Sequence, residues 1–335
     1  MIPNETKFGQ LFVFGFAGKT VPDYIEALIA EDNLGGLILF ARNGETPEAV
    51  RDITDRIPDK SPLRPLVFID QEGGNVSRIR FDSFIDSSAK ELSEKDDLDF
   101  FRQLTVKRAK ALIECGIDVN TVPVLDMPSH PDISVLEGRC FGNSPDKVIK
   151  FASVIYDAYR ETNLLCCAKH FPGLGDTVVD PHFDLPMDNS PVERYLRHKL
   201  LPFKSAIDQG VPMIMTTHIL CAALDSNSPV TFSRKVVTEI LKGEMGFSGM
   251  VVSDDLEMGA MLRYYDWDSV ILNSIKAGHH FQLVCHSKDR QLDALRLVKE
   301  EMEKDSMFAK QVRKTVAEIE KFKMDYSEGK QDGIR

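Results

Sequence analysis

Two polar groups, Lys169 and His170, close an apolar run that begins at Leu164, and the loop behind them carries Asp180-Pro181-His182. An apolar run that stops at a lysine and a histidine is how a buried strand looks where it emerges into a site. Gly173 and Gly175 loosen the loop between the two motifs. In extended chain the side chains of Asp180 and His182 point the same way. A carboxylate beside an imidazole orients the ring and favours its protonated form, which suits the histidine to proton transfer.

Other apolar runs end alike. The run 66–70 ends at Asp70 and is followed by Gln71-Glu72-Gly73-Gly74 and Arg78. The run 119–126 ends at Asp126, 213–218 at His218, and 250–254 at Ser253-Asp254-Asp255. Five ionisable endings in register are hard to assign to solvent alone. Glu72 reads as structural, shaping the turn with the two glycines after it.

The elements that must position these groups are legible. Strand-like runs cover 11–16, 36–40, 66–70, 119–126, 164–170, 213–218, 250–254 and 281–285. Most are continuously apolar, as strands covered on both faces are in a parallel sheet. Pro123 makes the fourth irregular. Between them lie helices with capping hydroxyls before proline at Thr46-Pro47, Ser144-Pro145 and Ser190-Pro191, the last with Glu193 as a capping box. Val148, Ala152, Ile155 and Tyr159 form an amphipathic stripe. Ser233 opens a further helix that ends near Gly246.

Eight strand–helix units in 335 residues predict an α/β chain folded as a (β/α)8 TIM-type barrel, a single domain over 1–326 with a polar, frayed tail over 327–335. A doubly wound open sheet is the alternative, but no Gly-x-Gly-x-x-Gly follows any strand. In a barrel, catalytic groups sit at the C-terminal strand ends, where the polar residues above fall.

The net charge of −11 and the lack of a basic stripe argue against nucleic acid as a partner. The six cysteines form no Cys-x-x-Cys pair, which suggests buried thiols in a reducing compartment. Residues 1–10 lack a basic region, the run 11–16 has no cleavage site behind it, and no run approaches the ~20 apolar residues of a membrane span. The expectation is a soluble, cytoplasmic monomer with no membrane partner.

Two chemistries suit such a site. A metal hydrolase needs closely spaced histidines as ligands, yet no His-x-His ends the first strand, and adjacent His279 and His280 diverge on a strand. No metal and no organic cofactor are therefore expected. Glycoside hydrolysis needs a carboxylate beneath the anomeric carbon and a proton donor above the leaving oxygen. Asp254 and the Asp180/His182 pair could supply these, with Asp70, Arg78, Arg139 and Lys169 as charged partners for sugar hydroxyls.

Six segments in order carry a resemblance to a known family: Gly35-Gly36-Leu37-Ile38-Leu39-Phe40, Ile69-Asp70-Gln71-Glu72-Gly73-Gly74, Gly138-Arg139-Cys140-Phe141-Gly142, Lys169-His170-Phe171-Pro172-Gly173, Asp180-Pro181-His182 and Val251-Val252-Ser253-Asp254-Asp255-Leu256-Glu257-Met258. The chain resembles, over nearly its whole length, the glycoside hydrolase family 3 β-N-acetylhexosaminidases, specifically the β-N-acetylglucosaminidases of bacterial cell-wall recycling. The resemblance implies a retaining double displacement on a small GlcNAc-containing carbohydrate. Asp254 would be the nucleophile, His182 the acid/base and Asp180 its orienting partner. Asp70, Arg78, Arg139, Lys169 and His170 would hold the sugar, and His218, at the sixth strand end, is added to them.

The chain also departs from the family pattern. Leu174 stands for a usual histidine, Pro181 and Cys140 each for a usual serine, and His280 for a usual aspartate. The departures at Leu174 and His280 leave open a barrel that binds sugar without cleaving it, while a histidine proton donor, which repels phosphate less than a carboxylate would, leaves open a phosphorylase, with a β-glucosidase as a sister reading on the same site.

Overall fold

The computed structural model describes residues 7–31, 33–57, 63–129, 134–177 and 179–332. Eight parallel strands close into one barrel: β1 Phe12–Phe14, β2 Gly36–Leu39, β3 Leu66–Ile69, β4 Val119–Asn120, β5 Leu165–Phe171, β6 Met213–Thr216, β7 Met250–Asp255 and β8 Phe281–Val284. Each pairs with its chain neighbours, and β1 closes on β8 through Phe12 and Gln282. The (β/α)8 expectation is borne out. The strands are buried almost throughout because helices cover their outer faces, which is why they read as unbroken apolar runs.

The helices follow their signals in part. Thr46 caps the helix Pro47–Thr54 by accepting the Ala49 N–H at 3.3 Å. Val148, Ala152, Ile155 and Tyr159 are all buried on the helix Pro145–Thr162. Ser233 Oγ accepts the Val236 N–H at 3.1 Å, and Gly246 lies beyond that helix at φ 74°. The capping box expected at Ser190 does not form, because its hydroxyl donates to Asp176 at 3.2 Å instead. One does form at Ser88 and Glu91. The last helix, Ser306–Asp332, runs past residue 326, so the first residues of the expected tail are helical. No helix among the described residues is long and apolar enough to cross a membrane.

Two irregularities bear on function. The ladder of β5 on β6 slips between Ala168 and Phe171, and that of β8 on β7 slips between Phe281 and Leu283, opposite Val252 and Asp255. Ser253 Oγ fills the second gap by accepting the Leu283 N–H at 3.0 Å. Bulges of this kind re-aim side chains at barrel rims. The fourth strand is irregular as expected: pairing stops at Asn120 and resumes as a single bridge from Val124 to Lys169.

At the opposite, N-terminal end, His279 and His280 diverge as expected. The ring of His279 sits between Thr216 Oγ1 at 2.8 Å and the Ser274 carbonyl at 3.0 Å. His280 Nδ1 accepts the Val251 N–H at 2.8 Å, and its Nε2 lies 3.4 Å from Glu318. His280, which stands for the family's aspartate, thus makes a helix–strand contact at the end of the barrel away from the charged strand ends. Burial pushes His279 down to about 3 and His280 down to about 4. A histidine with a depressed folded-state pKa contributes stability that is fully present above its unfolded value and lost progressively as pH falls from that value through the folded one. Urea unfolding should therefore show a loss of about 2 kcal/mol per histidine between about pH 6.5 and about pH 5. A flat profile would mean that both rings take up protons while folded.

Candidate active site

The C-terminal strand ends surround a cavity of about 300 Å³. Asp70, Arg78, Arg139, Lys169, His170, His182 and Asp254 all line it. Of the residues expected from sequence, Asp180 and His218 do not, and each has a specific reason given below.

The floor is an ion lattice. Lys169 Nζ donates to Asp70 Oδ1 at 2.8 Å and to Thr121 Oγ1 at 2.9 Å, and pairs with Glu72 Oε1 at 2.7 Å. Arg139 grips the same Glu72 with two parallel bonds of 2.8 Å. Arg78 Nη2 reaches Asp70 Oδ2 at 3.2 Å, and Thr121 donates to the other Asp70 oxygen. Burial alone would raise the two carboxyls. The ammonium of Lys169 and the guanidinium groups outweigh it, holding Asp70 well below the usual carboxylate range and Glu72 at about 2. Lys169 and Arg139 are correspondingly raised, because both carboxylates stabilise their charged forms more than burial opposes them. Glu72, read from sequence as a turn-shaping residue, is a centre of this lattice.

His170 Nδ1 lies 2.6 Å from Asp126 Oδ2, and Asp126 Oδ1 accepts the Leu174 N–H at 2.7 Å. The carboxylate at the fourth strand end thus sets both the ring and the start of the following loop. Leu174 is buried against the cavity wall, so the departure from histidine puts an apolar surface there. Gly175 is demanded by contact, because a Cβ there would lie 1.9 Å from the Met127 carbonyl oxygen.

The Asp180/His182 pair forms as its spacing suggested. His182 Nδ1 is 2.7 Å from Asp180 Oδ1, and the same oxygen accepts the His182 N–H at 2.9 Å. Asp180 stands behind the ring, away from the cavity wall. The His182 side chain is 59% exposed, at the mouth. In the same cavity, Asp254 Oδ1 accepts the Asp255 N–H at 2.8 Å. Burial works against the ionised Asp254 carboxyl. The field of His170, with that N–H, outweighs burial and keeps it below its ordinary value.

His218 corrects the expectation of a sugar contact. It is fully buried, with Nδ1 2.7 Å from Thr231 Oγ1 and Nε2 2.8 Å from the Asp255 carbonyl. Both ring nitrogens are occupied, and burial lowers its pKa, so it braces the turn after Asp254 as a neutral ring. Sequence reasoning also missed His286, which lines the cavity at the tip of β8. It sits 3.2 Å from Asp255 Oδ2, and that bond raises its pKa. The same strand-end rule that found the other residues would have found this one.

Among the described residues no group of His, Cys, Asp or Glu could hold a metal ion. A barrel with these strand-end groups is built to hydrolyse a glycosidic bond. Residues 4–321 match the family model described as Glycosyl hydrolase family 3 N terminal domain, and the chain belongs to this family of glycosidases. A Beta-hexosaminidase of Nitrosomonas eutropha is 33% identical over 280 residues, 82% of this chain and 80% of that protein. Another, from Bordetella avium, is 33% identical over 286 residues, 83% and 81% of the two chains. Among solved structures, a family 3 β-N-acetylglucosaminidase of a Paenibacillus species superposes with TM-score 0.86 at 30% identity, over 96% of this chain and 63% of that one. NagZ of Neisseria gonorrhoeae, in complex with N-trifluoroacetyl-D-glucosamine, superposes with TM-score 0.76 at 27% identity, over 85% and 84%.

Because Lys169 is buried and Arg139 largely so, Glu72→Gln should leave Arg139 without its carboxylate partner and Lys169 with Asp70 alone. A loss of about 3–5 kcal/mol in urea unfolding is expected. A loss below about 1 kcal/mol would show that water replaces the missing charge.

Proposed function

We propose that the chain is an exo-acting β-N-acetylglucosaminidase of the β-N-acetylhexosaminidase type, releasing terminal β-linked GlcNAc from peptidoglycan fragments with retention of configuration. One observation carries this reading: Asp254 and His182 line one cavity, one from the tip of β7 and the other from the loop after β5. The proteins it resembles by sequence bear the name Beta-hexosaminidase, and a structural neighbour was solved with a GlcNAc analogue.

The roles follow from the chemistry of each group. Asp254, ionised and half-buried, attacks the anomeric carbon and forms the glycosyl-enzyme intermediate. His182 Nε2 protonates the leaving oxygen and then takes a proton from the incoming water, while Asp180 holds Nδ1 and stabilises the charged ring. The exposure of His182 suits this task, because the leaving group departs toward solvent. Asp70, Arg78, Arg139, Lys169 and His170 meet the sugar hydroxyls. The pairs of Asp70 with Arg78 and Lys169, of Arg139 with Glu72 and of His170 with Asp126 hold them in place before substrate arrives, so little ordering cost remains at binding.

Asp254→Ala should lower turnover of an aryl β-N-acetylglucosaminide by on the order of a thousandfold or more. Full activity in that variant would overturn the assignment of the nucleophile. Proton NMR of early turnover should show the β-anomer of GlcNAc first. An α-anomer first would overturn the retaining route.

A further inference from the structure

We propose that the segment right after the nucleophile's strand is a dock that positions the acid/base histidine, with Gly259 and Tyr264 as positioning residues. This inference rests on the reading of His182 as the proton donor.

Residues 180–184 form one compact turn. Asp180 accepts the N–H of Phe183 at 3.0 Å and of Asp184 at 3.1 Å through its carbonyl, and of His182 through its carboxylate. Displacing any part of this turn therefore displaces the imidazole. The turn is seated on residues 259–264. Gly259 N–H donates to the His182 carbonyl at 3.0 Å, and Ala260 N–H donates to the Pro181 carbonyl at 3.0 Å. Tyr264 donates its hydroxyl proton to Asp184 at 2.5 Å, and Arg263 lies 3.6 Å from the same carboxylate.

The other end of this seat is covalently near Asp254. The intervening turn is itself bonded: Met258 N–H donates to the Asp255 carbonyl at 3.0 Å, and Glu257 N–H donates to Asp255 Oδ1 at 3.1 Å. Glu257 is anchored in turn by the backbone N–H groups of His286 and Ser287. The separation between nucleophile and proton donor is thereby set through a few bonded residues, although the two lie on different strand–loop units of the barrel.

Gly259 is where the dock is tightest. A Cβ there would meet the His182 carbonyl oxygen at 2.6 Å and that of Phe183 at 2.8 Å. The backbone of Gly259 is outside the left-handed region, so alanine is conformationally allowed and the contact is its whole cost. Gly259→Ala should therefore push the exposed turn outward and leave the barrel intact.

The leaving group reads out such a shift. An alkyl or sugar oxygen needs the His182 proton as the anomeric C–O bond breaks and Asp254 forms the new bond. A 2,4-dinitrophenolate departs as a stable anion and needs none. The test compares kcat/KM for N,N′-diacetylchitobiose and for 2,4-dinitrophenyl β-N-acetylglucosaminide in wild type, Gly259→Ala, Tyr264→Phe and His182→Ala.

His182→Ala should lose on the order of a hundredfold more activity on chitobiose than on the activated substrate. Gly259→Ala should show the same bias at about tenfold, and Tyr264→Phe at about threefold. Equal losses on both substrates in Gly259→Ala and Tyr264→Phe, while His182→Ala keeps its bias, would overturn the dock and leave the acid/base reading standing. No bias in His182→Ala would overturn the acid/base reading, and the dock with it. Should Gly259→Ala fail to fold, Tyr264→Phe, which removes one exposed hydroxyl, decides alone.

Discussion

The ammonium of Lys169 is the constraint on which the site depends. It is buried, and a buried charge is tolerated only when fully paired. Its three partners, Asp70, Glu72 and Thr121, come from the loop after β3 and from the chain after β4. Through Glu72 the lattice extends to Arg139, and through Asp70 to Arg78. Three consecutive strand ends and two loops are thus fixed by one electrostatic requirement. The arrangement contributes little net stability compared with an apolar core of equal volume, but removing any one member is costly. What it provides is a set of charged hydrogen-bonding groups held in fixed orientation along the cavity.

A second constraint is geometric. In a regular strand, successive side chains point to opposite faces, so Lys169 and His170 could not both face one cavity, nor could Asp254 and Asp255. The slipped registers at the ends of β5 and β7 remove this restriction, and all four residues line the cavity. The most densely functional strand ends are the two where the ladder breaks. The hydroxyl of Ser253 accepts the Leu283 N–H and the carboxylate of Asp126 accepts the His170 N–H at these slips, so those groups keep hydrogen bonds.

The two ends of the barrel divide the labour by charge. The C-terminal end holds carboxylates, guanidinium groups and an ammonium in mutual contact. At the N-terminal end, burial lowers His279 and His280: His279 bonds a hydroxyl and a backbone carbonyl, and His280 a backbone N–H, with the Glu318 carboxylate 3.4 Å away. His218 belongs with them in kind, although it lies near the site. It is neutral, saturated and structural, and it supports the turn that carries Asp254 and Asp255.

The linear sequence determined the barrel and most of the site. Local apolar patterning reports burial directly, so eight unbroken runs with charged endings disclosed eight covered strands and the face where chemistry collects. The Asp180/His182 pair was legible because its contact is local, two residues apart. Whatever depended on partners distant in the chain was decided by tertiary structure. Glu72 became a lattice centre because Lys169 and Arg139 converge on it. His218 was withdrawn from the cavity because Thr231 and the Asp255 carbonyl occupy its ring. The seat of His182 on Gly259 exists only once the fifth and seventh units lie on either side of β6 at the barrel mouth. A periodic pattern states which face of an element is covered; which groups meet across that face is set by how the barrel closes.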